Sequence, residues 1–436
     1  MSHPSTHLDL RRLRETPIRV FHLSWLAFFT CFFAWFAVAP LMPVIRAEFD
    51  LSVDQIANLN IAAVAVTILV RLVIGPLCDR FGPRRTYAVL MGLGALPVLG
   101  VATAQSYEAF LVFRLLIGAI GASFVITQVH TSVMFAPNVV GTANAAAAGW
   151  GNAGGGAAQA LMPLLLAAVM MLGVEQGLGW RVALLVPGIA LLVMALVYWR
   201  WADDSPAGRD IRTSAGAKKG GWKSFRAAAA NYRAWLLSLV YGASFGIEIF
   251  IHVSAALYFV DHFELGMTGA GLAVGAFGGL ALFARALGGW ISDRGARRGG
   301  LSARGQVLFV LLLAEGVGLL WFAYSPGVSM AVVALLVFGL FTHMACGATY
   351  ALVPFIDRRA LGGVAGIIGA GGNVGAVAAG FLMKGSASVG ECLFILGGLV
   401  TVSAFCAVAV RFSSEHKTRE QQLYEEAVAQ RGALAA

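Results

Sequence analysis

The sequence predicts an all-α integral membrane protein whose twelve transmembrane helices form two six-helix, pseudo-symmetric bundles. Three observations carry this prediction. The 436-residue chain is 59% hydrophobic and 12% charged, with a mean hydropathy of +0.79, a composition typical of membrane proteins and not of soluble enzymes. Apolar runs of about twenty residues recur along the chain. A pattern of charged and small residues is repeated once, 214 residues later, which indicates two homologous halves.

The apolar runs predict twelve spanning helices, because each is long enough to cross a hydrocarbon layer about 30 Å thick. Named helix 1 to helix 12 in chain order, they cover residues 20–43, 54–77, 84–104, 107–136, 139–172, 180–201, 232–260, 267–291, 303–324, 327–356, 361–386 and 389–411. The N-terminal segment lacks a short apolar core followed by a small-residue cleavage site, so no signal peptide is predicted.

The basic residues are sorted by membrane side. Of the 31 Lys and Arg, 25 fall in the two chain ends and in the loops after even-numbered helices, whereas Arg46, Arg181 and Lys384 fall in the opposite loops. The positive-inside rule therefore predicts that both termini lie in the cytoplasm, and the protein is expected in the cytoplasmic (inner) membrane. Because the net charge of +9 follows from this topology, no nucleic-acid partner is predicted. The five scattered cysteines predict neither a disulfide framework nor a metal site.

A polar stretch interrupts the apolar pattern halfway along the chain. It divides the sequence into an N-terminal six-helix bundle (1–201), a cytoplasmic linker (202–231), a C-terminal six-helix bundle (232–412) and a cytoplasmic tail (413–436). Part of the linker, residues 222–230, is either a short interfacial helix or a solvated basic loop. The lipid bilayer is the expected surrounding, the protein is expected to be a monomer, and no cofactor is predicted.

The repeated pattern reads R-x-x-x-G-x-x-x-D-R. Its members are Arg71, Gly75, Asp79 and Arg80 in the first half, and Arg285, Gly289, Asp293 and Arg294 in the second. The first arginine of each copy precedes the aspartate by eight residues, or ~12 Å of helix, which places it near the middle of the membrane. An intramembrane Arg costs at least ~2.5 kcal/mol to insert and usually faces an interior cavity or a partner charge. The two arginines therefore predict one shared anion site.

The first copy continues as GPLCDRFGPRR from Gly75 to Arg85, which resembles the G-x-x-x-D-R-x-G-x-R-R signature of the major facilitator superfamily. The resemblance implies the major facilitator fold. It also implies that the Gly, Asp and Arg of each copy form a cytoplasmic latch, which holds the two halves together in one conformational state. The glycine is expected to permit close helix approach. Because the second copy departs from the signature after its Asp and Arg, the latch is expected to be weaker there.

Two glycine-rich stretches narrow the resemblance. GWGNAGGGAAQ in helix 5 and GGNVGAVAAG in helix 11 share Gly-Asn-x-Gly around Asn152 and Asn373. Glycines alone favour tight helix packing, but a buried asparagine needs hydrogen-bond partners. The two stretches resemble the paired nitrate signatures of the nitrate/nitrite porter family within the superfamily. That resemblance implies that four of their residues line the anion site: Gly151, Asn152, Gly372 and Asn373.

The same resemblance implies that Arg71 and Arg285 bind the anion, nitrate or nitrite. Two guanidinium groups suit a small planar oxyanion, because each offers forked N–H donors and keeps its charge when desolvated. Tyr241 and Phe245 lie at i and i+4 on one face of helix 7, where the family has an aromatic pair that lines the pocket. A tyrosine hydroxyl at this position can donate a hydrogen bond to the anion.

Glu248 lies inside helix 7, where a carboxylate needs a partner or a proton. Burial away from cations would keep it protonated and make it a proton carrier, whereas burial beside Arg71 or Arg285 would keep it ionised and cancel their charge. Its Gly-x-Glu pattern resembles the proton-symporting branch of the family, so Glu248 is predicted to couple protons to transport. His252 shares its helix face and is either a proton relay or a satisfied buried histidine.

These features predict a secondary active transporter that imports nitrate across the cytoplasmic membrane by alternating access, coupled to proton symport. Nitrate/nitrite exchange, or transport of another small anion on the same fold, are the alternatives. An enzyme is not predicted, because the sequence has no H-E-x-x-H or Walker motif. Its one G-x-S-x-G, at residues 242–246, lies inside an apolar helix and not at a strand-to-helix elbow. A non-transporting membrane sensor is a further alternative. It would keep the helices but should lose the symmetry of the cavity residues between the two halves.

Overall fold

The computed structural model describes residues 4–136, 139–208, 221–357, 360–386 and 388–422. Within these residues the chain is helical, and the prediction of twelve helices long and apolar enough to cross a membrane is confirmed. Helices 1 to 12 cover Thr16–Phe49, Val53–Cys78, Pro83–Thr103, Tyr107–Met134, Thr142–Met171, Gln176–Trp201, Tyr232–Phe263, Met267–Ala296, Gly299–Ala323, Val328–Leu352, Gly363–Gly385 and Val389–Ala409.

The linker and the tail are only partly described. Residues 209–220 of the predicted linker and 423–436 of the predicted tail lie outside the described residues. Of the two interpretations of the linker segment, the structure shows the helical one, as Gly221–Ala229. This short helix contacts helix 11 and helix 2, so it lies beside one helix from each half of the chain.

Local sequence signals set several helix boundaries. At the start of helix 2, the Ser52 hydroxyl accepts from the backbone N–H of Gln55, and the Gln55 side chain accepts from the backbone N–H of Ser52. This reciprocal pair is a capping box. Helices 8 and 9 follow each other with a change of direction at Gly300, whose φ of 64° is a left-handed conformation that glycine adopts without steric cost.

Helix 1 is divided into two segments, Thr16–Phe36 and Met42–Phe49. Pro40 lies between them, where it removes a backbone donor and interrupts the α-helical hydrogen bonds. The fully buried Arg114 of helix 4 places Nη1 3.4 Å from the carbonyl oxygen of Trp35, in the last turn of the first segment. Its positive charge therefore lies at the negative end of that segment's dipole.

The two halves of the chain meet along two helix pairs, helix 2 with helix 11 and helix 5 with helix 8. Glycine makes the second approach possible, because a Cβ at Gly156 would lie 2.8 Å from the carbonyl oxygen of Gly275 in helix 8. Gly375 in helix 11 packs equally closely on Gly242 of helix 7. Many glycines of the two signature stretches are therefore packing residues, which leaves the asparagines as the polar part of each signature.

Candidate anion-binding site

Arg71 reaches from helix 2 across to helix 11 of the other half. Its Nη1 donates to the carbonyl of Gly369 (2.6 Å), and its Nε and Nη2 donate to the carbonyl of Gly121 in helix 4 (3.2 and 2.9 Å). The side chain is fully buried, and no acidic side chain of the described residues forms a salt bridge with it. Carbonyl dipoles hold this guanidinium in place, but they do not cancel its charge.

Arg285, the equivalent residue of helix 8, has a carboxylate partner. Its Nη2 lies 2.6 Å from Oε2 of Glu248, and both side chains are buried. Glu248 accepts a second hydrogen bond, on Oε1, from the side-chain amide of Asn152. The structure therefore does not show the environment away from cations that favoured a proton carrier. It shows the alternative, a carboxylate beside an arginine, because the position of Glu248 on helix 7 turns the carboxylate towards helix 8.

Phe245 lies close to both guanidinium groups. The Cζ atoms of Arg71 and Arg285 are 5.3 and 5.4 Å from its ring centroid, which is within the range of a cation–π interaction. Tyr241 stacks on Phe245 at 4.9 Å, and Tyr350 of helix 10 meets Tyr241 edge-on at the same centroid distance. The structure thus brings together the two arginines and the aromatic pair that the sequence singled out.

Several buried polar atoms near the arginines and Glu248 have no hydrogen-bond partner in the described part of the chain. They are the hydroxyls of Tyr241 and Tyr350, Nε of Arg285, Oδ1 of Asn152 and both amide atoms of Asn373. A Cβ at Gly369 would lie 3.4 Å from the Tyr350 hydroxyl and 3.6 Å from Nη1 of Arg71, so both donors lie beside this glycine. An unpaired buried polar atom costs about 1–3 kcal/mol. A small anion would accept from the donors of this set, which are the two tyrosine hydroxyls, Nε of Arg285 and Nδ2 of Asn373.

The two predicted glycines contact aromatic side chains. A Cβ at Gly372 would lie 2.6 Å from the Phe245 ring and 3.0 Å from the Tyr241 ring, whereas Gly151 packs against Phe28 of helix 1. Gly372 therefore lets the aromatic pair lie against helix 11, and Gly151 lets helix 5 approach helix 1. Direct contact of either glycine with an anion stays a prediction.

Two histidines lie near Glu248, and sequence reasoning named one of them. His252 is buried against the rings of Phe36 and Phe277, and neither ring nitrogen has a hydrogen-bond partner among the described residues. Its role as a relay stays a prediction. His343 of helix 10 was missed, although its Nδ1 lies 3.5 Å from Oε2 of Glu248. The available signal was a lone histidine in an apolar helix, a residue type that is rarely without function there.

Comparison with known proteins identifies the family. The family model described as Major Facilitator Superfamily matches residues 24–356. The chain is 38% identical over 403 residues to the "High affinity nitrate transporter 2.5" of Arabidopsis thaliana, an alignment that covers 92% of this chain and 80% of that protein. The chain belongs to the nitrate/nitrite porter family of the major facilitator superfamily.

Two further comparisons agree with this assignment. The porter is 28% identical to the "Nitrate/nitrite transporter NrtP" of Nostoc punctiforme, over 82% of this chain and 85% of that protein. Its fold resembles the proton:xylose symporter XylE bound to 6-bromo-6-deoxy-D-glucose, with a TM-score of 0.67, 14% identity and coverage of 90% and 95% of the two chains. At that identity the likeness shows the fold alone. The porter is a multi-pass membrane transporter and not an enzyme.

The arginines of the predicted cytoplasmic latch lie over rings of their own helical segments. Arg80 and Arg294 are exposed, and their Cζ atoms are 5.1 and 5.4 Å from the ring centroids of Phe81 and Trp290. Each cation–π contact stays within one half of the porter. A latch between the halves stays a prediction for these two residues.

The other latch residues differ between the two copies. Asp293 forms an ion pair of 2.6 Å with Arg304 of helix 9, inside the C-terminal half, whereas the side chain of Asp79 lies outside what the structure describes. A Cβ at Gly75 would meet nothing within 4 Å, and one at Gly289 would make ordinary contacts of 3.7 and 3.9 Å. The expectation that Gly75 permits a close helix approach is therefore wrong for this conformation.

Polar contacts also join the two halves at the ends away from the predicted latch. The charge distribution assigns these ends to the exterior. Both guanidinium η nitrogens of Arg46 in helix 1 donate to the carboxylate of Asp261 in helix 7, at 2.7 and 2.9 Å. Lys384 of helix 11 donates to Oδ1 of Asn58 in helix 2 at 3.0 Å. These contacts hold the outer ends of the halves together above the buried arginines.

Proposed function

We propose that this porter imports nitrate across the cytoplasmic membrane by alternating access, coupled to proton symport. The observation that carries the proposal is the pair of buried guanidinium groups, one from each half, with Cζ atoms 5.3 and 5.4 Å from the centroid of one Phe245 ring. The similarity to proteins named as nitrate transporters, at 38% identity in one case, supports nitrate as the anion.

The charges of the site favour a monovalent anion. Arg71 and Arg285 contribute two positive charges and Glu248 one negative charge, which leaves one net positive charge before proton and substrate bind. Binding of one proton with one monovalent anion keeps this net charge unchanged, whereas one proton with a dianion such as a phosphate ester would lower it by one in a buried place. Forked N–H donors match a planar oxyanion, and hydrogen bonds to charged groups contribute about 1.5–3 kcal/mol each.

The ion pair between Glu248 and Arg285 links the anion to a proton. While the pair is ionised, it cancels the charge of Arg285 and occupies its Nη2. Protonation of Glu248 releases the guanidinium and raises the net charge of the site by one, and a bound nitrate restores it. Proton and anion therefore bind more tightly together than separately, and this reciprocal coupling is the thermodynamic condition for symport. Inward movement of an anion alone costs about 2.3 kcal/mol per 100 mV of a membrane potential that is negative inside. A proton carried with the anion offsets this cost.

The contacts across the halves connect substrate binding to alternating access. The hydrogen bond from Arg71 to Gly369 joins helix 2 to helix 11, so it must break when these helices separate. A bound anion competes with the Gly369 carbonyl for the same Nη1 donor. Binding of nitrate therefore weakens a contact between the halves, as rocking of two rigid halves around a central site requires.

Transport by the purified porter in proteoliposomes tests the proposal. Labelled nitrate uptake should be faster with acid outside, and addition of nitrate should make the external medium more alkaline. Liposomes without protein are the control. Uptake that requires nitrite inside and shows no pH dependence would establish exchange in place of symport. Uptake of another small anion, without uptake of nitrate, would contradict the choice of substrate.

A further inference from the structure

His343 is a fully buried histidine of helix 10 whose two ring nitrogens face different acceptors. Its Nε2 lies 3.1 Å from the backbone carbonyl oxygen of Phe277 in helix 8. Its Nδ1 lies 3.5 Å from Oε2 of Glu248 in helix 7. A carbonyl oxygen only accepts hydrogen bonds, so Nε2 must carry a hydrogen. Since neutral histidine has one N–H, the neutral ring turns a bare Nδ1 lone pair towards the carboxylate.

A bare nitrogen lone pair and a carboxylate oxygen repel each other, and burial removes the water that would screen them. One proton relieves the repulsion. It resides either on Nδ1, which makes an imidazolium paired with the carboxylate, or on Oε2, which makes a carboxylic acid that donates to Nδ1. We propose that Glu248 and His343 form one shared proton-binding site, and that the proton held there is the one transported with the anion. This inference rests on the proposed proton symport.

The other groups that contact Glu248 do not accept a proton from it. Oε1 accepts from Asn152, and Oε2 accepts from Arg285 and lies 3.6 Å from the Sγ of Cys346. Guanidinium groups do not deprotonate in proteins, and a thiol is a weak donor. Among the described residues, His343 is therefore the group that contacts Glu248 and can accept a proton from it.

Two further titratable groups lie within electrostatic range of Glu248 but are not bonded to it. His252 interacts with it from helix 7, although neither ring nitrogen has a hydrogen-bond partner in the described residues. Glu315 approaches from helix 9, is fully buried and likewise has no partner for either oxygen among those residues.

The shared site explains how one proton controls Arg285. With the proton on Nδ1, Glu248 keeps its ion pair with Arg285. When the proton moves to Oε2, the carboxyl becomes neutral and the guanidinium is released to the anion. No atom leaves the site in this step, since the proton moves between two facing acceptors. After the anion departs, Arg285 attracts the carboxylate again and the proton is expelled, which completes the coupling of the two substrates.

A matched pair of variants tests the inference, His343→Gln against His252→Gln. Both histidines are buried and lie against the same Phe277 ring, with centroids 5.2 and 5.4 Å away, so both substitutions disturb similar packing. Nitrate affinity is measured by equilibrium binding over a pH series. Because a proton relay changes rates and not equilibria, we expect both wild type and His252→Gln to bind more tightly as the pH falls, by up to about tenfold per pH unit for one linked proton. His343→Gln should bind nitrate with almost no pH dependence.

The outcomes separate this inference from the proposed function. A wild-type pH dependence in His343→Gln would overturn the shared site while leaving symport intact. An absence of pH dependence in the wild-type porter would contradict symport itself, and the shared site with it. Proton uptake on nitrate addition to the unmodified porter gives a measurement that needs no variant. About one proton per nitrate supports a shared site, whereas two protons or none would overturn it.

Discussion

The two copies of the repeat place equivalent arginines in different surroundings. Arg71 donates to the carbonyls of Gly121 and Gly369, whereas Arg285 binds the carboxylate of Glu248. The first guanidinium therefore keeps its charge, and the charge of the second is cancelled until its partner is protonated. On the proposed mechanism, the two arginines therefore have different roles. Arg71 recognises the anion, and Arg285 couples the anion to the proton. Symmetry supplies two binding groups, and one acidic residue of helix 7 makes them unequal.

Substitution of either of these two arginines by lysine should cause the largest loss of nitrate uptake. Lysine keeps the positive charge but lacks the forked donors, so Arg71→Lys loses both the anion contacts and the fixed bonds to two helices. We expect Arg71→Lys and Arg285→Lys each to reduce labelled nitrate uptake by at least about 100-fold, since two charge-assisted hydrogen bonds contribute about 1.5–3 kcal/mol each. Uptake is measured per amount of protein in the membrane.

Arg46→Lys is the matched control for these variants, because Arg46 is a partly exposed arginine at the outer end of helix 1. It should keep most of the wild-type uptake. Near-normal transport by either Arg71→Lys or Arg285→Lys would show that the two equivalent arginines are not the anion site.

Glu248→Gln should remove the difference between the two arginines. Glutamine keeps the shape of the side chain and an oxygen for Asn152, but it carries no charge, so Arg285 is released at every pH. We expect nitrate to bind at least as tightly as to the wild type and without pH dependence. Accumulation driven by a proton gradient should fall about tenfold or more, because one linked proton accounts for up to about tenfold per pH unit.

The control for this variant is Glu108→Gln, at an exposed carboxylate near the outer end of helix 4. Its binding and accumulation should match the wild type. If the Glu248→Gln variant still accumulates nitrate in response to a proton gradient, the coupling proton binds elsewhere.

The features that sequence predicted correctly depend on local pattern. Hydropathy located the twelve helices, since a spanning helix must be apolar along about 30 Å whatever its neighbours are. The repeat placed Arg71 and Arg285 inside the membrane, and the spacing of Tyr241 and Phe245 placed both rings on one helix face. Each of these inferences depends on the sequence pattern of the helices and not on the contacts between them.

The features that sequence missed depend on contacts between helices. Whether Glu248 meets Arg285 depends on how helix 7 is rotated against helix 8, and no periodicity within helix 7 records that rotation. The partnership of Glu248 with His343 also needs the register of helix 10. That register is set by close packing, such as that of Gly347 against the backbone of Arg285, which is a tertiary property.

Alanine substitution of the two signature asparagines should have a smaller and unequal effect. Asn152 donates to Glu248, so its removal disturbs both the carboxylate and the anion, whereas Asn373 has no partner among the described residues. We expect Asn152→Ala to weaken equilibrium nitrate binding about tenfold and Asn373→Ala about threefold, in line with about 0.5–1.5 kcal/mol per hydrogen bond. Unchanged affinity in both variants would show that the two signatures serve helix packing and not anion binding.

The smallest effect is expected where the two halves meet at the outer surface. Arg46 and Asp261 form a two-bonded ion pair whose side chains are 34% and 44% exposed. Exposed pairs contribute less than about 1 kcal/mol, yet this one joins the outer segment of helix 1 to the end of helix 7. Its loss should favour separation of the outer ends. We therefore expect Arg46→Asp and Asp261→Arg each to slow nitrate uptake about threefold, because like charges then face each other across the halves.

The double variant with both substitutions restores opposite charges in exchanged positions, so it should recover most of the wild-type rate. Nitrate affinity should stay unchanged in all three variants, because the pair does not contact the buried arginines. Added salt should reduce the differences among them, since exposed charges are screened within about 10 Å at 0.1 M ionic strength. A double variant as slow as either single variant would show that the pair does not hold the outer ends together, and that closure of the porter depends instead on the packing of helix 2 on helix 11 and helix 5 on helix 8.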